Sequence, residues 1–237
     1  MNISVESVKK DLKKYATKKR ALVLQKYFKT GVGEYGYGDI FLGLTVPQVR
    51  LVAKQNKNCG LSIIQTLLAS KVHEERQTAL AILSLKAQKL DGKELEKLHK
   101  FYLKNLGYVN NWDLVDGSAE ILVGKYLANR GNKNLLVKLA KSKNMWSRRV
   151  AIIATFYFIK SGSFNETLKI ANLLLKDQKD LIHKAVGWML REVGKRAMAV
   201  EENFLRDHYK HMPRTMLRYA IEKFPQALRL KYLHGQI

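Results

Sequence analysis

The sequence predicts an all-α fold, an α-solenoid of helical repeats that forms a single domain over residues 1–237. Small apolar residues, which we call the repeat residues, recur about every 35 residues along the chain. They are Ala79, Val115, Ala151, Ala185 and Ala220. Strand-like alternation is scarce and only three prolines are present. A repeat of paired helices with this period is typical of HEAT-like repeats, whose neighbours stack into one core and leave a concave face. We expect that face to be basic.

The predicted helices follow one another along the whole chain. Thr45 before Val46-Pro47 is a typical N-cap with proline in the first turn, and Met212-Pro213 opens a late helix. Residues 30–38 contain four glycines, and we expect a connecting loop that touches a partner through Tyr35 or Tyr37. Apolar residues at three- and four-residue spacing mark the segments 61–68, 79–87, 95–106, 135–139, 146–158, 168–175 and 181–193.

The charge of the chain indicates a polyanionic partner. There are 43 Lys and Arg residues against 20 Asp and Glu, which gives a formal net charge of +23. Solubility does not require such a surplus, and nucleic acid is the simplest partner for it. On charge alone, RNA or an anionic membrane surface stays open as an alternative to DNA. The hydrophobic content of 46% argues against a disordered chain.

Several kinds of site and location are not indicated by the sequence. Cys59 is the single cysteine, so no disulfide framework or cysteine zinc site is expected. The six histidines lack metal-ligand spacing, and no serine-nucleophile motif is present, so we expect no metal and no cofactor.

Residues 1–19 lack the apolar stretch of a secretory signal, and no apolar run is long enough to span a membrane. We therefore expect a cytoplasmic protein that does not bind a membrane, with a monomer as the default.

Asp116 is the strongest candidate for chemistry. It follows the repeat residue Val115, at the position where the other repeats carry branched apolar residues. Those residues are Leu80, Ile152, Val186 and Ile221. An acid on a core-facing position is unfavourable unless something uses or satisfies it. In a chain this basic, Asp116 is therefore the first residue that we expect to act on a substrate.

Two tryptophans accompany this acid. Trp112 precedes Asp116 by four residues and so shares a helix face with it, and Trp188 lies three residues beyond a repeat residue. Aromatic faces and a carboxylate together attract a flat cation. For Trp146 core packing is the simpler interpretation.

Basic side chains near the repeat residues are candidates for binding phosphate. The set is Arg148, Arg149, Lys184, Arg191, Arg214 and Arg218. Arg149 and Arg218 occupy the same repeat position, two before the repeat residue, where Asp113 and His183 also fall. Arginine binds phosphate with two parallel hydrogen bonds, and Arg149 is the preferred contact. Solvated helix surface or ion pairs between repeats explain most of the others equally well.

Cleavage of an N-glycosidic bond in DNA fits these residue types. Breaking that bond builds positive charge on the sugar, which a carboxylate stabilises directly or through an oriented water. An alkylated purine that already carries a positive charge leaves without a general acid. The acid, the indoles and the arginines would then serve one site.

Four segments resemble the AlkD family of DNA alkylation-repair glycosylases. They are Asn-Trp-Asp-Leu-Val-Asp at 111–116, Asn-Met-Trp-Ser-Arg-Arg-Val-Ala-Ile at 144–152, Leu-Ile-His-Lys-Ala-Val-Gly-Trp-Met-Leu-Arg-Glu at 181–192 and Met-Pro-Arg-Thr-Met-Leu-Arg-Tyr-Ala at 212–220. The resemblance is collinear over nearly the whole chain. It implies a HEAT-like repeat protein that excises cationic N3- and N7-alkylpurines from duplex DNA without flipping the base into a pocket.

The resemblance also implies roles for individual residues. Asp116 falls at the catalytic acid, Trp112 and Trp188 at the aromatic residues beside the lesion, Arg149 at a phosphate contact and Tyr27 at a further DNA contact. Two departures bear on lesion preference. Asn111 stands where some members carry tryptophan, and Arg148 adds a second basic side chain.

Two other functions stay open from the sequence. A non-catalytic HEAT-repeat scaffold for DNA or RNA needs only the basic face and would use Asp116 as an ion-pair partner. A protein–protein adaptor is disfavoured by the net charge. A monofunctional glycosylase with no lyase step is the function that we expect.

Overall fold

The computed structural model describes residues 3–128, 130 and 132–237, and within them the chain is helical with no β-strand. The prediction of an all-α fold built of helical repeats is confirmed. The helices are α1 Val5–Lys13, α2 Lys18–Tyr27, α3 Val46–Gln55, α4 Leu61–Leu68, α5 His73–Gln88, α6 Gly92–Lys104, α7 Trp112–Asp116, α8 Tyr126–Ala128, α9 Asn134–Ala140, α10 Met145–Ala154, α11 Phe156–Lys160, α12 Asn165–Leu174, α13 Asp180–Gly194, α14 Met198–His208, α15 Arg214–Ala220 and α16 Gln226–His234.

Short 3₁₀ and π-helical segments connect some of these α-helices. Three are 3₁₀ turns, at Leu106–Tyr108, Tyr209–His211 and Ile221–Lys223, and Glu120–Lys125 winds as a π-helix. The predicted helix over 146–158 is divided between α10 and α11. The division falls at Thr155, whose hydroxyl donates to the Ile152 carbonyl at 2.6 Å and so binds the preceding turn.

The capping chemistry predicted for α3 is present. The Thr45 hydroxyl accepts from the Gln48 backbone N–H at 3.4 Å, the Gln48 side chain accepts from the Thr45 N–H at 2.8 Å, and Pro47 lies in the first turn. The late helix α15 begins directly after Pro213, as predicted from the sequence. Both helix starts have the same cause. The first backbone N–H groups of a helix lack partners within it, and a capping side chain accepts from one of them, whereas proline has no N–H to satisfy.

The contacts within the chain define two compact units, Met1–Ser118 and Ala119–Ile237. The single domain expected over residues 1–237 stays a prediction, as does the concave basic face. All five repeat residues are fully buried, and four of the residues that follow them are buried as expected. Asp116, the exception in that row, is partly exposed.

The first unit is built around α5, against which α3, α4, α6 and α7 pack. At its start, the buried carboxylate of Glu74 accepts hydrogen bonds from the backbone N–H groups of Leu42, Gly43 and Leu44 at 2.8–3.2 Å. A single bridge between Ile40 and Val72 lies beside this contact. Residues 39–44 are therefore fixed along the first turn of α5.

The glycine-rich loop at 30–38 closes back onto the end of α2. A Cβ on Gly36 would lie 2.3 Å from the Phe28 carbonyl oxygen, so only glycine allows this approach. Gly31, Gly33 and Gly36 have the spacing of a dinucleotide-binding fingerprint, but the segment follows a helix rather than a strand and opens no helix. The loop positions residues of the first unit and is not a phosphate-binding turn of that kind.

The second unit is built around α10 and α13. Helices α9 and α12 pack on α10, and α13 packs on α10, α14 and α15. Gly187 allows α13 and α15 to approach closely, because a Cβ there would lie 2.4 Å from the Met216 carbonyl oxygen. Successive repeat helices are thus direct neighbours in this unit.

Candidate functional site

Helix α7 carries both Trp112 and Asp116. Asn111 begins it by accepting from the Trp112 backbone N–H at 2.8 Å, and Asp113 accepts from the Leu114 N–H at 2.9 Å. Leu114 and the repeat residue Val115 are buried, whereas Trp112 and Asp116 are partly exposed. The four-residue spacing places the indole and the carboxylate on the same side of the helix, as predicted.

Trp112 lies in an aromatic cluster. Its ring stacks on Phe28, with centroids 5.2 Å apart and planes inclined by 10°, and meets the edge of Tyr27 at 6.0 Å. Burial raises the pKa of Tyr35, and hydrogen bonding from the Trp112 indole opposes that increase. Tyr27 is 62% exposed, so the structure brings together two of the predicted site residues at the surface of the first unit.

Beneath this cluster lies a buried group of charges that the sequence did not reveal. His73 Nε2 is 2.8 Å from Asp113 Oδ2, His73 Nδ1 is 3.0 Å from Asp39 Oδ2, and an Arg76 N–H donates to the same Asp39 oxygen at 2.6 Å. Burial disfavours the charged imidazole, but its hydrogen bonds to Asp113 and Asp39 raise the pKa of His73 to about 9. Likewise, burial opposes ionisation of Asp39, yet His73 and Arg76 keep its pKa below the usual range.

Asp116 lies close to a buried hydroxyl pair. The hydroxyls of Tyr102 and Ser118 are 3.0 Å apart, and both residues are buried. Burial raises the pKa of Tyr102, and the negative charge of Asp116 adds to that increase. Asp116 is therefore partly exposed and near enough to Tyr102 for its charge to oppose ionisation of that hydroxyl.

Trp188, on α13, lies in a different setting in the second unit. It is partly exposed and meets Phe156 at a centroid distance of 6.0 Å and an angle of 52°. Two cations face the same Phe156 ring: Lys160 at 4.4 Å and Arg196 at 5.9 Å. The second predicted tryptophan is thus part of a cationic aromatic surface.

Four of the predicted basic residues already bind groups of the protein. Arg148 forms two hydrogen bonds to Asp177, at 2.5 and 3.2 Å, and Arg149, which is only 5% exposed, donates to the Leu181 carbonyl. Lys184 pairs with Asp180 at 2.8 Å, and Arg191 pairs with Glu222. These side chains stabilise the second unit whatever else they contact.

Arg214 and Arg218 are different. Both are exposed, and among the residues that the structure describes neither has a hydrogen bond or ion pair. Arg218 lines a cavity of about 420 Å³ with Arg229, Thr215, Tyr219 and Glu222. The Nε of Arg229 is buried there without a partner. Arg229 was not among the predicted site residues, because it lies outside the repeat positions used to find them.

Neither a metal centre nor a membrane span is indicated by the part of the chain that the structure describes. No group of three or more His, Cys, Asp or Glu side chains could hold a metal ion there. None of its helices combines the length and the apolar character that a bilayer crossing needs.

Comparison with known proteins identifies the family. The sequence profile of the family described as DNA alkylation repair enzyme matches residues 8–224, which is most of the chain. No curated protein matches. A solved structure described as a predicted DNA alkylation repair enzyme from Enterococcus faecalis superposes with a TM-score of 0.67 and 16% identity, over 89% of this chain and 97% of that one, which shows a shared fold. On the profile match, the chain belongs to the DNA alkylation repair enzyme family.

Proposed function

We propose that the protein is a monofunctional DNA glycosylase that releases cationic N3- and N7-alkylated purines from duplex DNA. The observation that carries this proposal is the pairing of Trp112 with Asp116, both partly exposed on one short helix of a chain with net charge +23. Membership of the DNA alkylation repair enzyme family supports alkylated DNA as the substrate. Tyr27 beside Trp112 adds a second exposed aromatic ring for contact with DNA.

The proposed chemistry needs a carboxylate and water. The alkylated purine leaves with the electron pair of the N-glycosidic bond, which neutralises its own positive charge. The Asp116 carboxylate stabilises the positive charge that forms on the sugar and orients the water whose oxygen bonds to C1′. The proton of that water passes to Asp116 and then to solvent. Trp112 and Trp188 are proposed to attract the cationic nucleotide through their ring faces, with no pocket for a flipped base.

Arginines that have no partner within the described part of the protein are proposed to contribute most to DNA binding. Arg214, Arg218 and Arg229 bind phosphate without losing a contact inside the protein. Arg148, Arg149, Lys184 and Arg191 remain proposed contacts, but each would share or exchange its present partner. Replacing a phosphate-binding arginine lowers the salt dependence of binding by about one unit of slope.

The test is release of free base from methylated duplex DNA by the wild type and Asp116→Asn, with duplex affinity measured in parallel by fluorescence anisotropy. We expect Asp116→Asn to bind the duplex as the wild type does and to release N7-methylguanine on the order of 10²–10³-fold more slowly. Asp207→Asn is the matched control, since it removes an equal charge from an exposed position on α14.

Two results would contradict the proposal. Equal release by wild type and Asp116→Asn would remove the carboxylate from the mechanism. No release by the wild type, together with tight salt-dependent duplex binding, would favour a non-catalytic DNA-binding scaffold, for which the unpaired arginines alone suffice.

A further inference from the structure

The His73 ring connects two carboxylates in the first unit. It begins α5, is 1% exposed, and has one nitrogen near Asp39 and the other near Asp113. Both ring nitrogens must carry a proton if each donates to a carboxylate, so the ring is an imidazolium. With Arg76 it balances the two negative charges. A side chain this deeply buried cannot touch DNA.

Helix α7 depends on contacts outside itself for its orientation. It has five residues, which is too short for a helix to be stable alone. Asp113 in its first turn is bound to two residues of α5, His73 at 2.8 Å and Gln77 at 3.1 Å. Those bonds connect α7 to the central helix of the first unit.

A second path connects His73 to the same helix. Phe28 lies between His73 and Trp112, with centroid distances of 5.0 and 5.2 Å. Phe41 stacks on both Phe28 and His73, at 5.0 and 4.6 Å. The imidazolium therefore supports the ring of Trp112 from below while it holds Asp113 beside it.

We propose that His73 is a positioning residue: by holding Asp113 and the Phe28–Trp112 stack, it sets the orientation in which α7 presents Trp112 and Asp116 to the substrate. The proposal rests on the proposed glycosylase function for its kinetic consequence, but not for its structural one. A buried ion pair adds little net stability compared with apolar packing, whereas it specifies one geometry. Misplacing reacting groups by about 1 Å costs on the order of 10²-fold in rate.

The kinetic experiment compares His73→Gln, Asp113→Asn and the double variant in single-turnover release of N7-methylguanine, at a temperature where circular dichroism shows all of them folded. We expect each single variant to lower the release rate 10- to 100-fold while duplex affinity changes less than about twofold. The double variant is expected to be no slower than the slower single variant, because both changes break one connection. His99→Gln, a buried histidine on α6, controls for the loss of a buried imidazole and keeps the wild-type rate.

A second readout does not depend on activity. The three tryptophans give three indole N–H resonances in a ¹⁵N–¹H spectrum, and Trp112→Phe identifies the one from Trp112. We expect His73→Gln to shift that resonance and leave those of Trp146 and Trp188 in place. Wild-type release by His73→Gln, multiplying effects in the double variant or an unshifted Trp112 resonance would each overturn the proposal. If the wild type releases no base, the proposed function fails and the resonance alone decides the role of His73.

Discussion

The two predicted tryptophans are held in different ways. Trp112 stacks on Phe28, touches the edge of Tyr27 and is hydrogen-bonded to Tyr35, and the buried charges around His73 lie below it. Trp188 has one tilted contact with Phe156, and within the described residues its indole has no hydrogen bond. The first ring has aromatic neighbours at its face and its edge, whereas the second has one aromatic neighbour at a tilt.

The difference suggests that the two tryptophans have different tasks. A ring stacked at 10° on a neighbour and hydrogen-bonded at its nitrogen has one orientation, which suits a group that must meet a reacting sugar. A ring with a single aromatic contact suits the proposed recognition of the cationic nucleotide, while Lys160 and Arg196 beside it suit contact with the anionic backbone. We therefore expect substitutions near Trp112 to affect stability and rate more than matched substitutions near Trp188.

The largest expected difference is in stability. Trp112→Ala should lower the free energy of unfolding by about 3 kcal/mol, because it removes a stacked ring and leaves a cavity against Phe28. Trp188→Ala should lower it by about 1–2 kcal/mol, since the ring makes one tilted aromatic contact and no stacked one. Urea denaturation of both variants measures the two values. Equal losses would show that the contacts around Trp112 do not hold it more firmly.

The sequence was sufficient for the parts of the fold that depend on periodicity. The repeat of Ala79, Val115 and Ala151 predicted fully buried positions, and the proline at position 47 predicted the start of α3. The same repeat singled out Asp116 because its carboxylate stands where the other repeats are apolar. These features depend on local spacing, which a single sequence displays.

The sequence was not sufficient for contacts between distant residues. His73 lies 34 positions from Asp39 and 40 from Asp113, and no spacing rule connects them. A partner contact through Tyr35 or Tyr37 stays a prediction, whereas no pattern in the sequence indicates the hydrogen bonding between Tyr35 and Trp112. Such pairings depend on how helices and loops pack, so they become visible only in three dimensions.

The two units also differ in the buried groups that make their stability depend on pH. In the first unit His73 is compensated by carboxylates, whereas in the second unit burial raises the pKa of Glu201 to about 9 against the attraction of Arg191. Both groups hold a proton in the folded state above the pH at which the unfolded chain releases it. Each therefore stabilises the fold fully at low pH, and that stability is lost as pH rises.

The pH range over which stability is lost differs between the two groups. For Glu201 it begins near pH 4.5 and ends near 9, and for His73 it begins near pH 6.5 and ends near 9. Urea denaturation from pH 4 to 10 should show that Glu201→Gln removes the decline below pH 6.5, whereas His73→Gln reduces only the decline above it. Identical pH profiles for the two variants would contradict the difference drawn between the units.

The smallest expected effect tests the single hydrogen bond that distinguishes Trp112 from Trp188. Tyr35→Phe removes the hydroxyl that accepts from the Trp112 indole and should lower the free energy of unfolding by about 1 kcal/mol. Tyr37→Phe in the same loop is the control, because Tyr37 is 64% exposed and its hydroxyl has no partner among the described residues. If the hydrogen bond also limits rotation of the indole, Tyr35→Phe broadens the Trp112 indole resonance and Tyr37→Phe does not. An unchanged resonance in both would mean that the Phe28 stack alone fixes the ring, and the difference between the two tryptophans would then lie in stacking rather than in hydrogen bonding.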